Sequence, residues 1–174
     1  MTNHTWNQAT LGMGRWRPWL TNHGSLTLRL QAHFPDFNVL RLRQAVARPF
    51  FDETAGVGLD ARQPALIREV LLRSGETPLV FAHTVIPLAG LRGPWQSLAG
   101  LGNRSLGLAL FANPRVERFP LEFKRLGRRH PLYRAARPYL ERPQDAPWAR
   151  RSQFALDGHR LMVTEVFLPS MQPK

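Results

Sequence analysis

The sequence contains no cysteine, so disulfide bonds, thiolate nucleophiles and thiolate metal sites are all excluded. It also lacks any apolar run close to the roughly 20 residues that a membrane-spanning helix requires, and its polar beginning does not match a signal peptide. The six histidines show no metal-ligand spacing, and the chain has no nucleophile elbow or phosphate-binding loop. We therefore expect a cytoplasmic protein that binds no metal.

Acidic residues are scarce, with 12 of them against 24 lysines and arginines, and the net charge is +12. Such an excess attracts polyanions, anionic substrates or acidic membrane surfaces. Many of the arginines lie between Arg115 and Arg151, but this stretch lacks the aromatic and glycine signatures of RNA-binding modules and any helix-turn-helix pattern. We therefore expect no specific nucleic-acid binding. The positive charge is instead expected to attract an anionic substrate or to make a weak contact with an acidic membrane.

The length of 174 residues and the hydrophobic fraction of 43% predict a single globular domain, residues 1–174, with one core. No internal repeat or domain boundary is visible. Residues 1–18 have no sustained hydrophobic period, which predicts a loosely ordered lead-in. Residues 113–147 are rich in proline and arginine, which predicts short amphipathic helix mixed with irregular structure.

Two hairpins are the clearest secondary-structure signals. The β-type runs Ala65 to Leu72 and Leu79 to Ile86 are separated by a short Gly- and Pro-containing loop, and the runs Arg151 to Leu156 and Arg160 to Leu168 are joined by Asp157-Gly158. Residues 38–47 add an exposed strand. These runs predict an antiparallel sheet.

Two short helices are expected beside the sheet. Ser25 is a good N-cap for a helix that begins at Leu26 and ends at Pro35, and Asn103 or Ser105 caps a helix that begins at Leu106. The fold class is therefore α+β, with one antiparallel sheet and its helices packed on one side.

Two charges interrupt strand faces that are otherwise apolar. Side chains two apart share a face, so the last strand places Glu165 among Leu161, Val163 and Phe167. By the same rule the first hairpin places Arg68 among Leu66, Val70 and Leu72. Burying either charge costs several kcal/mol unless it is paired.

Two explanations of Arg68 remain open at this point. It forms a buried ion pair with the adjacent Glu69 or with Glu165, or it binds an anionic ligand. The helix starts at Leu26 and Leu106 favour a ligand, because the first N–H groups of a helix lack internal partners and attract anions. With Glu165 accepting a hydroxyl hydrogen bond, such a site fits a hydroxylated cyclic carboxylic acid. His83 is a candidate lining residue, although a strand histidine is more often part of the structure.

Several short motifs, in order, resemble those of the chorismate pyruvate-lyase (chorismate lyase) family. They are Trp19-Leu20, Ser25-Leu26-Thr27, Arg68-Glu69-Val70-Leu71-Leu72, Thr84-Val85-Ile86-Pro87, Leu101-Gly102, Ser105-Leu106-Gly107, Leu110-Phe111, Trp148-Ala149-Arg150-Arg151-Ser152 and Thr164-Glu165-Val166-Phe167-Leu168-Pro169. The resemblance covers Trp19 to Pro169. Residues 113–147 form an arginine-rich stretch longer than the family pattern.

The resemblance implies a cofactor-free carbon–oxygen lyase that converts chorismate into pyruvate and 4-hydroxybenzoate for ubiquinone biosynthesis. It also implies a six-stranded antiparallel sheet and two catalytic residues, Arg68 and Glu165. Arg68 and the N–H groups of Leu26 and Leu106 would bind the product's carboxylate, and Glu165 its hydroxyl. We expect a monomer.

Two alternatives from other classes stay open. The first is a non-catalytic, sensor-like domain of the same fold that binds an aromatic carboxylate; such domains usually follow a DNA-binding domain, and the residues before Trp19 show no helix-turn-helix pattern. The second is a basic nucleic-acid-binding protein, whose affinity would fall steeply with salt.

Overall fold

A computed structural model describes residues 5–171 of the chain, which form one antiparallel sheet flanked by short helices. The strands are β1 (Phe37–Ala47), β2 (Ala65–Ser74), β3 (Thr77–Pro87), β4 (Glu117–Arg118), β5 (Glu122–Arg125), β6 (Trp148–Leu156) and β7 (His159–Phe167). The helices are α1 (Arg17–Leu20), α2 (Leu26–His33), α3 (Leu88–Leu91), α4 (Leu106–Ala112) and α5 (Pro131–Ala136). No helix in this range is long and apolar enough to cross a membrane.

The sheet order is β1-β2-β3-β7-β6-β4, and β5 also pairs with β6. Both β4 and β5 are antiparallel to β6, with Arg118 opposite Phe154 and Phe123 opposite Arg150. They therefore occupy successive parts of one edge, and the sheet is six positions wide although it has seven strands. The expected α+β class and antiparallel sheet are confirmed.

Both predicted hairpins are present. Strand β2 pairs with β3 from Ala65 opposite Pro87 to Ser74 opposite Thr77, so the turn is tighter than the sequence suggested. Gly75 lies in this turn with φ +54°, a conformation that favours glycine. Strands β6 and β7 pair in continuous register from Leu156 opposite His159.

The helices lie on both faces of the sheet, which corrects the expectation of one side. Helices α2 and α4 cover the face that carries Arg68. Helix α5 instead packs against the opposite face, where Leu132, Tyr133 and Ala136 join a buried cluster with Leu71, Phe81 and Val166. These three helix positions lie on one side of α5, but the prolines and arginines around them hide the pattern in the sequence.

The lead-in is packed more firmly than expected over its described part, residues 5–18. Trp6 and Met13 are buried, and Trp6 Nε1 donates a hydrogen bond of 2.7 Å to Asp52 Oδ2. Asn7 forms a backbone bridge with Phe123 of β5. The expectation was wrong here because isolated apolar side chains reach the core without any periodic pattern.

A buried ionic cluster lies on the face opposite Arg68. His83 Nδ1 is 3.0 Å from Glu69 Oε1, and Nε2 is 3.3 Å from Glu53 Oε1, close enough for an ion pair but poorly aligned as a hydrogen bond. The Phe50 ring stacks on His83 at 4.7 Å. Burial lowers the pKa of His83, but the two carboxylates outweigh it and raise the pKa to about 9. His83 is therefore structural and does not line the pocket described below.

This cluster predicts a fall in stability at alkaline pH. Because the folded protein holds the His83 proton more tightly than the unfolded chain, the stabilisation is complete below about pH 6.5 and is lost as the pH rises through about 9. We expect the free energy of unfolding in urea to fall by roughly 3 kcal/mol over this range through His83. In His83→Gln most of that fall should disappear, and parallel profiles for the two proteins would contradict the assignment.

Candidate active site

A pocket lies between the sheet and the helices α2 and α4, and it contains all four residues singled out from the sequence: Leu26, Arg68, Leu106 and Glu165. The other polar or charged side chains on its wall are Thr27, Thr84, Ser105, Arg118, Arg150 and Ser152. The remaining lining is apolar, apart from Gly107. The cavity volume is about 50 Å³, so a substituted ring requires some lining side chains to move apart.

The strand register places Arg68 and Glu165 on the same face of the sheet. Arg68 is opposite Thr84 on β3, and Ala82, two residues earlier on β3, is opposite Glu165. The two charged residues are therefore two strands and two positions apart, which corresponds to about 12 Å between their Cα atoms. Their side chains can contact opposite ends of one ring-sized molecule.

Arg68 is 1% exposed, and its guanidinium is held by backbone carbonyls. Nη1 donates to Gly102 O and Nη2 donates to Arg104 O, and each hydrogen bond is 2.9 Å long. Within residues 5–171 no carboxylate lies within 4 Å of this guanidinium. Burial, and to a smaller extent the charge of Arg41, lowers the pKa of Arg68. An anion entering the pocket would offset both effects.

The ion-pair explanation of Arg68 is therefore wrong. Glu69 points to the other face and pairs with His83, and Glu165 pairs with Arg150. Each carboxylate proposed as a partner already has a different one. Arg68 is left as a buried cation with no carboxylate partner among residues 5–171.

The starts of α2 and α4 converge on the same wall. Ser25 Oγ accepts a hydrogen bond from Leu28 N at 3.4 Å, and Ser105 Oγ accepts one from Leu108 N at 3.3 Å, which confirms both predicted caps. Leu26 and Leu106 are the first residues of the two helices, and the serine caps do not bond to their N–H groups. These N–H groups also have no acceptor within their own helix.

A direct contact holds the two helix starts together. Thr27 Oγ1 and Ser105 Oγ are 2.7 Å apart. A Cβ atom at Gly107 would lie 3.2 Å from Thr27 Oγ1, tighter than most such contacts. The close approach therefore favours glycine at this position, and it keeps two sets of N–H groups on one wall of the pocket.

Arg150 is the partner of Glu165, and sequence reasoning missed it. Arg150 Nε donates a hydrogen bond of 2.5 Å to Glu165 Oε2. Nη1 donates to three carbonyls of the segment before α2, those of Trp19, Leu20 and Asn22, at 3.1, 3.2 and 2.8 Å. Arg150 is 1% exposed. It holds Glu165 in one position and ties the sheet to the start of the α2 wall.

Arg118 is the second residue that the sequence did not reveal, since its strand β4 is only two residues long. The guanidinium carbon lies 5.2 Å from the Phe111 ring and 5.4 Å from the Phe154 ring. Nε and Nη2 are each 3.4 Å from Ser152 Oγ, and Nη1 donates to His23 O. Burial and then the charge of Arg150 lower the pKa of Arg118 to about 10, against the opposing effect of Glu165.

Solved structures share this fold at low sequence identity. The C-terminal domain of PhnF superposes with a TM-score of 0.58 and 13% identity, over 76% of this chain and 83% of that one. The effector domain of PhnF from Mycobacterium smegmatis gives a TM-score of 0.56 and 14% identity, over 85% and 90% of the two chains. At this identity the similarity establishes the fold alone.

Sequence relatives are much closer. A probable chorismate pyruvate-lyase of Thiobacillus denitrificans is 50% identical over 155 residues, which are 89% of this chain and 83% of the relative. Another, from Nitrosospira multiformis, is 48% identical over 95% of this chain and 93% of its own length. The family model for chorismate lyase matches residues 1–173. The chain therefore belongs to the chorismate lyase family.

Proposed function

We propose that this protein is a cofactor-independent chorismate pyruvate-lyase that eliminates pyruvate from chorismate and leaves 4-hydroxybenzoate. The observation that carries the proposal is the pairing state of the pocket's charges: Arg68 is buried with no carboxylate partner in the described chain, while Glu165 is held on the same face by Arg150. Family membership and relatives named probable chorismate pyruvate-lyase support the same reaction.

The substrate's ring carboxylate binds to Arg68 in this proposal. Charged hydrogen bonds to a carboxylate are about twice as strong as neutral ones, and the N–H groups of Leu26 and Leu106 add the partial positive charge of two helix starts. The two carbonyls that already hold Arg68 fix its guanidinium before the ligand arrives. Little orientational freedom is therefore lost when the carboxylate binds.

Glu165 accepts a hydrogen bond from the ring hydroxyl at the other end. Its contact with Arg150 uses Oε2, which leaves Oε1 available for the ligand. Because Arg150 is itself held by three backbone carbonyls, the carboxylate is fixed relative to Arg68. The ring is thereby held at both ends, which is the orientation that an intramolecular step requires.

The chemistry needs no external oxidant or base. The bond between the ring carbon and the enolpyruvyl oxygen breaks, and the hydrogen on the neighbouring hydroxyl-bearing carbon passes to the enolpyruvyl methylene group. The methylene becomes the methyl of pyruvate, the ether oxygen becomes its carbonyl, and the ring becomes aromatic. Arg68 and Glu165 contribute by orienting the substrate and by stabilising charge as it shifts.

A sensor-like role is the second candidate, since solved regulator domains share the fold. A sensor would bind an aromatic carboxylate in the same pocket without turnover. Incubation of the purified protein with chorismate, followed by an enzymatic assay for pyruvate, separates the two roles. The lyase releases pyruvate and 4-hydroxybenzoate in equal amounts, above the spontaneous rate.

Glu165→Gln keeps the side chain's shape and removes its charge. We expect kcat for pyruvate release to fall by about 100-fold or more, because the hydroxyl loses its charged acceptor and Arg150 its partner. Glu122→Gln is the matched control, since Glu122 also pairs with an arginine, Arg151 at 2.8 Å, but outside the pocket. A Glu165→Gln enzyme as fast as the control would remove Glu165 from the mechanism.

Arg68→Ala should weaken 4-hydroxybenzoate binding by about 2 to 4 kcal/mol, because a desolvated carboxylate loses its charged partner. Isothermal titration calorimetry measures the change directly. Arg73→Ala, on the same strand but paired with the exposed Glu76, should bind the product as the unaltered protein does. Equal affinities for the two variants would contradict the carboxylate assignment.

We also propose a monomer that makes a weak contact with acidic membranes and no specific contact with nucleic acid. The support for the membrane contact is a group of exposed arginines on and beside α5: Arg128, Arg129, Arg134, Arg137 and Arg142. No ion pair within the described chain neutralises their side chains.

Vesicle sedimentation tests the membrane contact. We expect binding to phosphatidylglycerol vesicles at low salt, little binding to phosphatidylcholine vesicles, and loss of binding near 0.5 M salt, since such attraction is screened. The double variant Arg134→Glu/Arg137→Glu should bind more weakly. Equal binding to both kinds of vesicle would contradict an electrostatic contact.

A further inference from the structure

The pocket holds more positive charge than the ring carboxylate uses. Its charged lining residues are three arginines and one glutamate, which leave a net charge of +2. Arg150 is matched by Glu165, and Arg68 is matched by the ring carboxylate in the proposed function. Arg118 remains, and within residues 5–171 no carboxylate lies within 4 Å of its guanidinium.

Arg118 lies at the Glu165 end of the pocket. It is opposite Phe154 on the neighbouring strand β6. Every second side chain of β6, namely Phe154, Ser152 and Arg150, faces the pocket, and Arg150 is opposite Glu165. The electrostatic influence of Arg150 and Glu165 on Arg118 agrees with this placement. Arg68 is on β2, at the other side of the pocket.

Nη1 of Arg118 donates to His23 O, but the Nε and Nη2 donors are only weakly used. Their two contacts with Ser152 Oγ are both 3.4 Å long, and the Phe111 and Phe154 rings, whose centroids are 6.0 Å apart, lie next to the guanidinium. Aromatic rings attract a guanidinium through cation–π contacts without using its N–H donors, which remain able to bind a carboxylate. The site is therefore suited to a planar anion.

The substrate carries such an anion at the matching place. Chorismate has a second carboxylate, on the enolpyruvyl ether, and the ether is attached to the ring carbon next to the one that bears the hydroxyl. With the hydroxyl at Glu165, the side chain must lie beside Glu165 rather than beside Arg68. A dianion also matches the net charge of the pocket.

We infer that Arg118 binds the carboxylate of the enolpyruvyl side chain and thereby distinguishes the substrate from the aromatic product, which lacks that group. This inference rests on the proposed function. Arg118 holds the side chain while the ether bond breaks and retains the carboxylate of the pyruvate that forms. Phe111, beside Arg118, is 41% exposed, so this end of the pocket lies near the surface.

The test compares Arg118→Met, which removes the charge, with Arg118→Lys, which keeps it. Arg115→Met is the matched control, because Arg115 is 70% exposed, pairs with Asp157 and does not line the pocket. For each protein we would measure kcat/KM for chorismate and the Kd of 4-hydroxybenzoate. We would also measure the Kd of 3-(carboxymethoxy)-4-hydroxybenzoate, a stable ligand with a second carboxylate at the ether position.

In Arg118→Met we expect kcat/KM to fall by about 100-fold, the dianionic ligand to lose a similar factor, and 4-hydroxybenzoate affinity to change by less than about threefold. Arg118→Lys should recover part of the loss, and Arg115→Met should behave as the unaltered protein. Unchanged kcat/KM in Arg118→Met, or equal losses for the monoanionic and dianionic ligands, would overturn the inference in favour of a structural role.

The unaltered protein alone gives a further outcome if Arg118→Met does not fold. It must bind the dianionic ligand more tightly than 4-hydroxybenzoate, and this preference must shrink with salt; the absence of a preference overturns the inference. The proposed function is tested separately: it fails if the unaltered protein releases no pyruvate from chorismate. The ligand preference is a binding measurement and needs no turnover.

Discussion

A buried guanidinium with no carboxylate partner among the described residues is the feature on which the rest of this structure depends. Arg68 lies under two helices, among mainly apolar side chains, and within residues 5–171 its hydrogen-bond acceptors are the backbone carbonyls of Gly102 and Arg104. Such a charge is costly to the folded state, and an anionic ligand would offset the cost. The convergence of two helix starts on the same wall is understandable in these terms, since their N–H groups favour the same anion.

The opposite end of the pocket is built on the reverse arrangement. Glu165 has a partner, and that partner, Arg150, is fixed by carbonyls of the segment that leads into α2. One arginine therefore connects the sheet, the carboxylate and the segment that leads into α2. The distance between the two ends of the pocket depends on this connection, and so does the fit of a ring held at both ends. The two buried arginines therefore differ in their pairing. Arg150 forms an ion pair with Glu165, whereas Arg68 has no carboxylate partner in the described part of the chain.

Much of the fold and the two ends of the site could be predicted from local signals. The Asp157-Gly158 turn and the serine caps act within a few residues, and Arg68 and Glu165 stand out because they interrupt apolar faces. Arg150 was within reach, since the two-residue turn places it directly opposite Glu165. Arg118 was not, because a two-residue strand has no period, and Trp6 was not, because its partner Asp52 is distant in sequence. These residues depend on tertiary packing, which a single sequence shows poorly.

The central claim is that one ring is held with its carboxylate at Arg68 and its hydroxyl at Glu165. A crystal structure of the protein with 4-hydroxybenzoate tests it most directly. The account predicts both carboxylate oxygens within hydrogen-bond distance of the Arg68 guanidinium and the N–H groups of Leu26 and Leu106, with the hydroxyl on Glu165. A ligand bound in the reverse orientation, or outside the pocket, would contradict it.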